Sequence, residues 1–268
     1  MTNQLPYQDA ARLVDSQLGR VKHDMAVVLG SGLGGFTKHL SDKKTIATNE
    51  IPGYPISTVV GHRGEIVSAL SGEKRILVFS GRVHFYETLS ATASAVTAIM
   101  AHHLGIKKII LTNAAGILNR LFAPGELMIV TDHINLTSRN VLMDLGCSLT
   151  GIDPIYSGRL NSIALSAASK INTELRSGVY IGLTGPAYET AAEVKYYRQL
   201  GGDAIGMSTI HEATFARHVG MEVLGISCLT NYSTGITNKK LSHSEVTDIG
   251  RSVSARFAEL LAAIIEFA

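Results

Sequence analysis

Short apolar runs broken by turn residues recur along the chain at 25–29, 64–70, 75–80, 107–113, 126–132, 178–183 and 221–229. Their length and punctuation predict strands. Many are apolar at successive positions, which predicts burial on both faces and therefore a sheet covered by helices. Apolar residues at helical spacing predict helices over Thr88–Leu104, Thr190–Leu200, Glu212–Val219 and Ser244–Phe267, the last with Ser242 as its N-cap. Near the N-terminus, Asp9, Arg12 and Asp15 among apolar positions predict an amphipathic helix. Residues 137–159 follow neither period and are predicted to form a long loop or lid. Strands alternating with helices indicate an α/β domain with a mostly parallel or mixed sheet. No linker, repeat or low-complexity tract divides the 268 residues, so one domain over 1–268 is expected.

Several polar clusters fall just after a strand: Gly30–Gly35, Gly81–Glu87, Thr112–Gly116, Thr131–Leu136, Gly185–Thr190, Gly206–Thr209 (after the short run 203–205) and Thr230–Gly235. In open α/β sheets ligands settle at the carboxyl ends of strands, so these loops are expected to build one site.

Composition narrows what that site binds. Lys and Arg number 24 against 22 Asp and Glu, a net charge of +2, and no basic run suits a nucleic acid, so any bound anion is expected to be small. No run reaches the roughly 18 apolar residues that span a bilayer, and the charged N-terminal helix is unlike a secretory signal. Cys147 and Cys228 form neither a disulfide framework nor a metal-ligand spacing, which points to a reducing, cytoplasmic setting and no metal. The 46% hydrophobic and 17% charged content leans towards an oligomer.

In GSGLGG, glycines permit close backbone approach and inward-facing N–H groups, while Ser31 adds a hydroxyl. That suits a phosphate. The spacing of Gly30, Gly32 and Gly35 also satisfies the dinucleotide fingerprint, with Glu50 near the ribose-binding position, and a tight turn with no ligand is the alternative. In SGRVHFYET, Arg82, His84 and Tyr86 alternate, so a guanidinium, an imidazole and a phenol can share one side; a polar edge strand is the alternative. Tyr188 and Glu189 precede a helix, where Tyr188 could stack on a flat ring and Glu189 accept from its N–H, or Glu189 could simply be an acid favoured by the helix dipole. Asn231 at a strand end can donate and accept. His62, His243, Asn113, Met207 and Ser208 carry little signal singly.

Taken together, GSGLGG, GHRGE, GRVHFYE, TNAAG, DHINL, GPAYET, GMST and TN with the downstream LSH resemble, in order and spacing, the trimeric purine nucleoside phosphorylases from about Val27 to the C-terminus. The resemblance implies a single α/β domain with a mixed, twisted, partly barrel-like sheet flanked by helices. It implies phosphorolysis of inosine and guanosine to a free purine and (deoxy)ribose 1-phosphate in purine salvage, a homotrimer, and no cofactor beyond phosphate as co-substrate. Carried over by position, Ser31, Arg82, His84, the backbone at Ala114 and Ser208 match the phosphate site, with His62 at its mouth. Tyr86, Met207 and His243 match the ribose contacts, and Tyr188, Glu189 and Asn231 the purine pocket. Glu189, Asn231, His84 and His243 would carry the catalysis. Asn231, where relatives acting on 6-amino substrates carry Asp, implies a 6-oxopurine. A methylthioadenosine phosphorylase, a non-catalytic nucleoside-binding protein and a nicotinamide-dependent oxidoreductase are the rival readings.

The chain departs from the family in three places. Tyr188 replaces the commoner Phe. Ile117 stands for the third glycine of AGG, with an altered base pocket as the expected result. The segment 137–160 is short, leaving Ile152, Asp153 or Tyr156 for the aromatic that reaches a neighbouring subunit.

Overall fold

The computed structural model describes residues 5–59, 63–148, 150–237 and 243–268, the side chains of 243–247 excepted. Helix α1 (Gln8–Leu18) leads into β1 (Met25–Leu29). A polar edge strand, β2 (Ser41–Ala47), precedes the hairpin of β3 (Glu65–Ser71) and β4 (Lys74–Ser80). Three short helices follow, α2 (Phe85–Thr88), α3 (Ala91–Ser94) and α4 (Val96–His103), and then the long strands β5 (Lys108–Ile117) and β6 (Leu127–Asn135). The second half runs α5 (Val141–Asp144), α6 (Gly158–Lys170), β7 (Leu175–Gly182), α7 (Ala191–Gln199), β8 (Ala204–Gly206), α8 (Ile210–His218), β9 (Glu222–Tyr232) and α9 (His243–Phe267).

The nine described strands form one mixed sheet in the order β2-β3-β4-β1-β5-β8-β7-β6-β9, and β9 also pairs with β5. The five strands from β5 to β9 therefore close into a barrel, and β2, β3, β4 and β1 extend from it as an open wing. The period of two explains the two-sided burial. Ala26 and Val28 pack into the cluster formed with α1, α4 and α8, whereas Met25, Val27 and Leu29 pack into the cluster formed with α6 and α9.

The expected helix over 88–104 is divided. Leu89 takes a left-handed φ of 54° and caps α2, and Ser90 Oγ then accepts from Ala93 N–H to start α3. Residues 137–157 are mostly irregular as expected, with α5 as one short turn, but α6 begins at Gly158. Ser242, the expected N-cap of α9, lies outside the described residues. Ile117 is fully buried in the core and does not itself line the cleft described below.

Two irregularities shape the floor of that cleft. Beside β5, β1 pairs only with Ile109–Leu111, and β8 pairs only with Gly116 and Ile117. Between them, residues 112–115 have a ladder partner on one side alone, namely β9. Gly30 sits where β1 leaves β5, its N–H donating to Thr112 Oγ1 at 3.0 Å. A Cβ there would lie 2.7 Å from Asn113 Cα, so only glycine fits so close to this backbone. On β9 the register to β5 shifts at Thr230, because Ala115 faces Leu229 and Gly116 faces Asn231. The extra residue of this bulge lets the consecutive Thr230 and Asn231 both reach the cleft, which a regular strand would forbid.

Candidate active site

The loops after β1, β4 and β8, together with β5, the end of β9 and the turn before α7, line a single cleft of about 810 Å³, the solvent at its open mouth included. It brings together Ser31, Arg82, His84, Tyr86, Ala114, Tyr188, Glu189, Met207, Ser208 and Asn231. His62 and the side chain of His243 lie outside the described residues. Of the glycine-rich loop, only Gly30 and Ser31 line the cleft. Gly35 instead packs on α9, where a Cβ would strike Ser254 Oγ. The expected cradle of successive inward N–H groups is thus confined to one end of the loop.

Arg82 is 4% exposed, and its Nη1 donates to Ser208 Oγ at 2.9 Å and to Thr209 Oγ1 at 3.0 Å. Behind it stands the carboxylate of Glu212, 1% exposed, with Oε2 at 3.6 Å from Arg82 Nε and Oε1 accepting from Thr97 Oγ1 at 2.6 Å. A buried cation is thus fixed at the cleft wall by a buried anion on α8. Thr209 has φ 75° and ψ −46°, and Ile210 N–H donates back to Ser208 O at 2.8 Å. This is a three-residue γ-turn of the strained positive-φ kind, which costs on the order of 1–3 kcal/mol at a β-branched residue.

His84 Nδ1 lies 3.0 Å from Glu87 Oε1, and its ring stacks on Tyr86 with centroids 5.1 Å apart. Burial lowers the pKa of His84, against the opposing pull of Glu87, with Arg82 lowering it further. Burial would raise Glu87, but hydrogen bonds from His84 and Thr58 prevail and hold it below the ordinary carboxylate value. Glu87 therefore orients His84 while pinning the strand of chain that carries Val59 to the cleft rim.

At the other end, Gly185 takes φ 69° and lets the turn before α7 press on Tyr86 and Met207, which a Cβ would strike. Thr190 and Glu193 form the capping box of α7, so Glu189 has no capping duty. Its buried carboxyl lines the cleft, and burial raises its pKa above the usual carboxylate value. Tyr188 stands 45% exposed at the rim. Asn231 is oriented from both sides, with Oδ1 accepting from Thr230 Oγ1 at 2.8 Å and Nδ2 donating to Tyr232 O at 3.2 Å.

Sequence reasoning missed Thr209, Glu212 and Glu87. Glu87 carries a signal, the three-residue spacing from His84 typical of a capping box. Glu212 carries none, since its partner Arg82 is 130 residues away in the chain. Of the residues considered for a projecting aromatic, Tyr156 is excluded, being buried with its hydroxyl 3.0 Å from His133 Nδ1. Among the described residues, no group of three or more His, Cys, Asp or Glu could hold a metal ion, and no helix is long and apolar enough to cross a membrane.

A family model described as the phosphorylase superfamily matches residues 24–266. A protein of Geobacillus stearothermophilus named purine nucleoside phosphorylase 1 is 41% identical over 246 residues, covering 90% of each chain. A purine nucleoside phosphorylase of Mycobacterium leprae is 40% identical over 257 residues, covering 96% of this chain and 94% of the other. The crystal structure of Schistosoma mansoni purine nucleoside phosphorylase in complex with adenosine superposes with a TM-score of 0.90 at 31% identity, covering 99% of this chain and 98% of that one.

Proposed function

From the premise that this chain belongs to the phosphorylase superfamily, and within it to the purine nucleoside phosphorylases, we propose that it catalyses reversible phosphorolysis of purine nucleosides. A purine (deoxy)ribonucleoside and phosphate give the free purine and (deoxy)ribose 1-phosphate. One observation carries the reading: Arg82, suited to an anion, and Glu189, suited to accept an N–H, line the same cleft.

The bond to the base breaks as the sugar gains positive and the purine negative charge. Phosphate held by Arg82, Ser31, Ser208 and the Ala114 amide stabilises that cation and then captures it, so positioning and preorganised charge do the work. His84, oriented by Glu87 through the 3.0 Å contact at Nδ1, adds a hydrogen-bonding imidazole to the phosphate end. Tyr86 and Met207 hold the sugar, and the family resemblance assigns His243 to the sugar and His62 to the phosphate. Tyr188 covers the base, Glu189 accepts from N1–H, and the Asn231 amide hydrogen-bonds the N7 and O6 edge as electron density builds there. A 6-oxopurine supplies both the N1–H and the acceptor O6, which favours inosine and guanosine over adenosine.

No cofactor enters this scheme. We further infer a cytoplasmic homotrimer, for which Leu89 and Met143, 71% and 75% exposed, are apolar side chains in want of cover. Sedimentation equilibrium is expected to return three times the chain mass, and a monomer would remove that inference. The reaction is tested by incubating the protein with inosine, with and without phosphate. Hypoxanthine release only with phosphate is the expected result. No release in phosphate refutes the reaction, and faster turnover of adenosine refutes the base preference.

A further inference from the structure

Three side chains around Ser208 are arranged so as to decide where its one proton points. Arg82 has only hydrogens to give, and Nη1 gives them to Ser208 Oγ at 2.9 Å and to Thr209 Oγ1 at 3.0 Å. Asn113 Nδ2 donates to the same Thr209 oxygen at 2.9 Å. A hydroxyl oxygen accepts two hydrogen bonds and donates one. With both acceptor positions taken, Thr209 turns its own hydrogen to Ser208 Oγ, 3.2 Å away. Ser208 is then filled in the same way, by Arg82 and Thr209, and what it has left is its hydrogen. Ser208 lines the cleft and Tyr180 does not; the Tyr180 phenol oxygen takes the Ser208 amide hydrogen at 3.4 Å and also stands as an internal acceptor for the Ser208 hydroxyl, from which an oxyanion in the cleft draws that hydrogen away.

We propose that Thr209 is a positioning residue that sets the Ser208 hydroxyl as a hydrogen donor towards an oxyanion in the cleft. The Asn113–Thr209–Ser208 relay makes this corner of the site donor-only, so it takes an anion rich in acceptor oxygens. The inference rests on the phosphorolysis reading only for naming that anion as phosphate. The backbone supports it independently. Thr209 is 2% exposed and holds a φ of 75°, a turn that glycine would make without strain. What threonine adds at this place is the hydroxyl.

Calorimetric titration with inorganic phosphate reads the relay without turnover. Thr209→Val keeps the shape and loses the hydroxyl, Thr209→Ser keeps the hydroxyl, and Thr209→Gly loses it while relieving the turn. Thr209→Val and Thr209→Gly are expected to bind phosphate at least about tenfold more weakly than wild type, and Thr209→Ser within about threefold. In steady state the loss falls on KM for phosphate, with KM for inosine unchanged, and Thr209→Gly melts no lower than wild type. Wild-type phosphate affinity in either hydroxyl-free variant overturns the proposal. So does failure of Thr209→Ser alongside them, or a wild-type protein that binds no phosphate. Should Thr209→Val not fold, Thr209→Gly carries the comparison. A wild type that binds phosphate but releases no hypoxanthine refutes the reaction and leaves the relay to be judged by the titrations.

Discussion

Arg82→Met is expected to reduce kcat/KM for phosphate by at least about a hundredfold, since the guanidinium supplies charge-assisted hydrogen bonds worth about 1.5–3 kcal/mol each. The same change is expected to lower the melting temperature by about 10 °C. The two losses have different origins. Activity falls because the anion loses its cation. Stability falls because Glu212, 1% exposed, is left buried without its positive partner, an arrangement that costs about 3–5 kcal/mol. The double variant Arg82→Met, Glu212→Gln separates them. It is expected to recover most of the melting temperature and none of the phosphate affinity. Recovery of phosphate affinity in the double variant would mean that Arg82 serves the fold and not the substrate.

The second large effect lies at the base. Glu189→Ala and Asn231→Ala are each expected to cut kcat/KM for inosine by about 10- to 150-fold, the range of one hydrogen bond to a charged group. Glu189 also sets a pH dependence. Burial disfavours its carboxylate, so its pKa stands above the ordinary value, and the charged form is the stronger acceptor for a base N–H. As pH falls through that raised pKa the carboxylate is protonated, so KM for inosine should climb at a higher pH than an exposed glutamate would produce. Glu189→Gln should abolish this acid limb while turning over slowly. Persistence of the limb in Glu189→Gln would assign it to another group.

Most of the sheet could be read from the sequence because its strands are buried on both faces and so appear as unbroken apolar runs. β2 could not: its first five positions are exposed, and Ser41–Thr45 look like a loop. α6 was hidden by small residues, since Ala164, Ala167 and Ala168 form its buried face without a bulky repeat. The site residues that sit in loops after strands were recognisable by residue type and order. Those that hold them in place were not, because Glu212 reaches Arg82 and Asn113 reaches Thr209 only once β8 folds back antiparallel along β5. Chain distance erases such pairings, as no local period records them.

Residues 112–115 of β5 have a neighbour on one side only, in the stretch where β1 has left and β8 has not yet begun. Main-chain amides in such a gap that neither β9 nor the closely packed Gly30 turn takes need another partner. A substrate seated there finishes the ladder, so its binding is in part a last act of folding. Ligand occupancy and the rigidity of the barrel mouth should then rise together, and amide deuterium uptake in 112–115 would be the first signal to fall as phosphate is added.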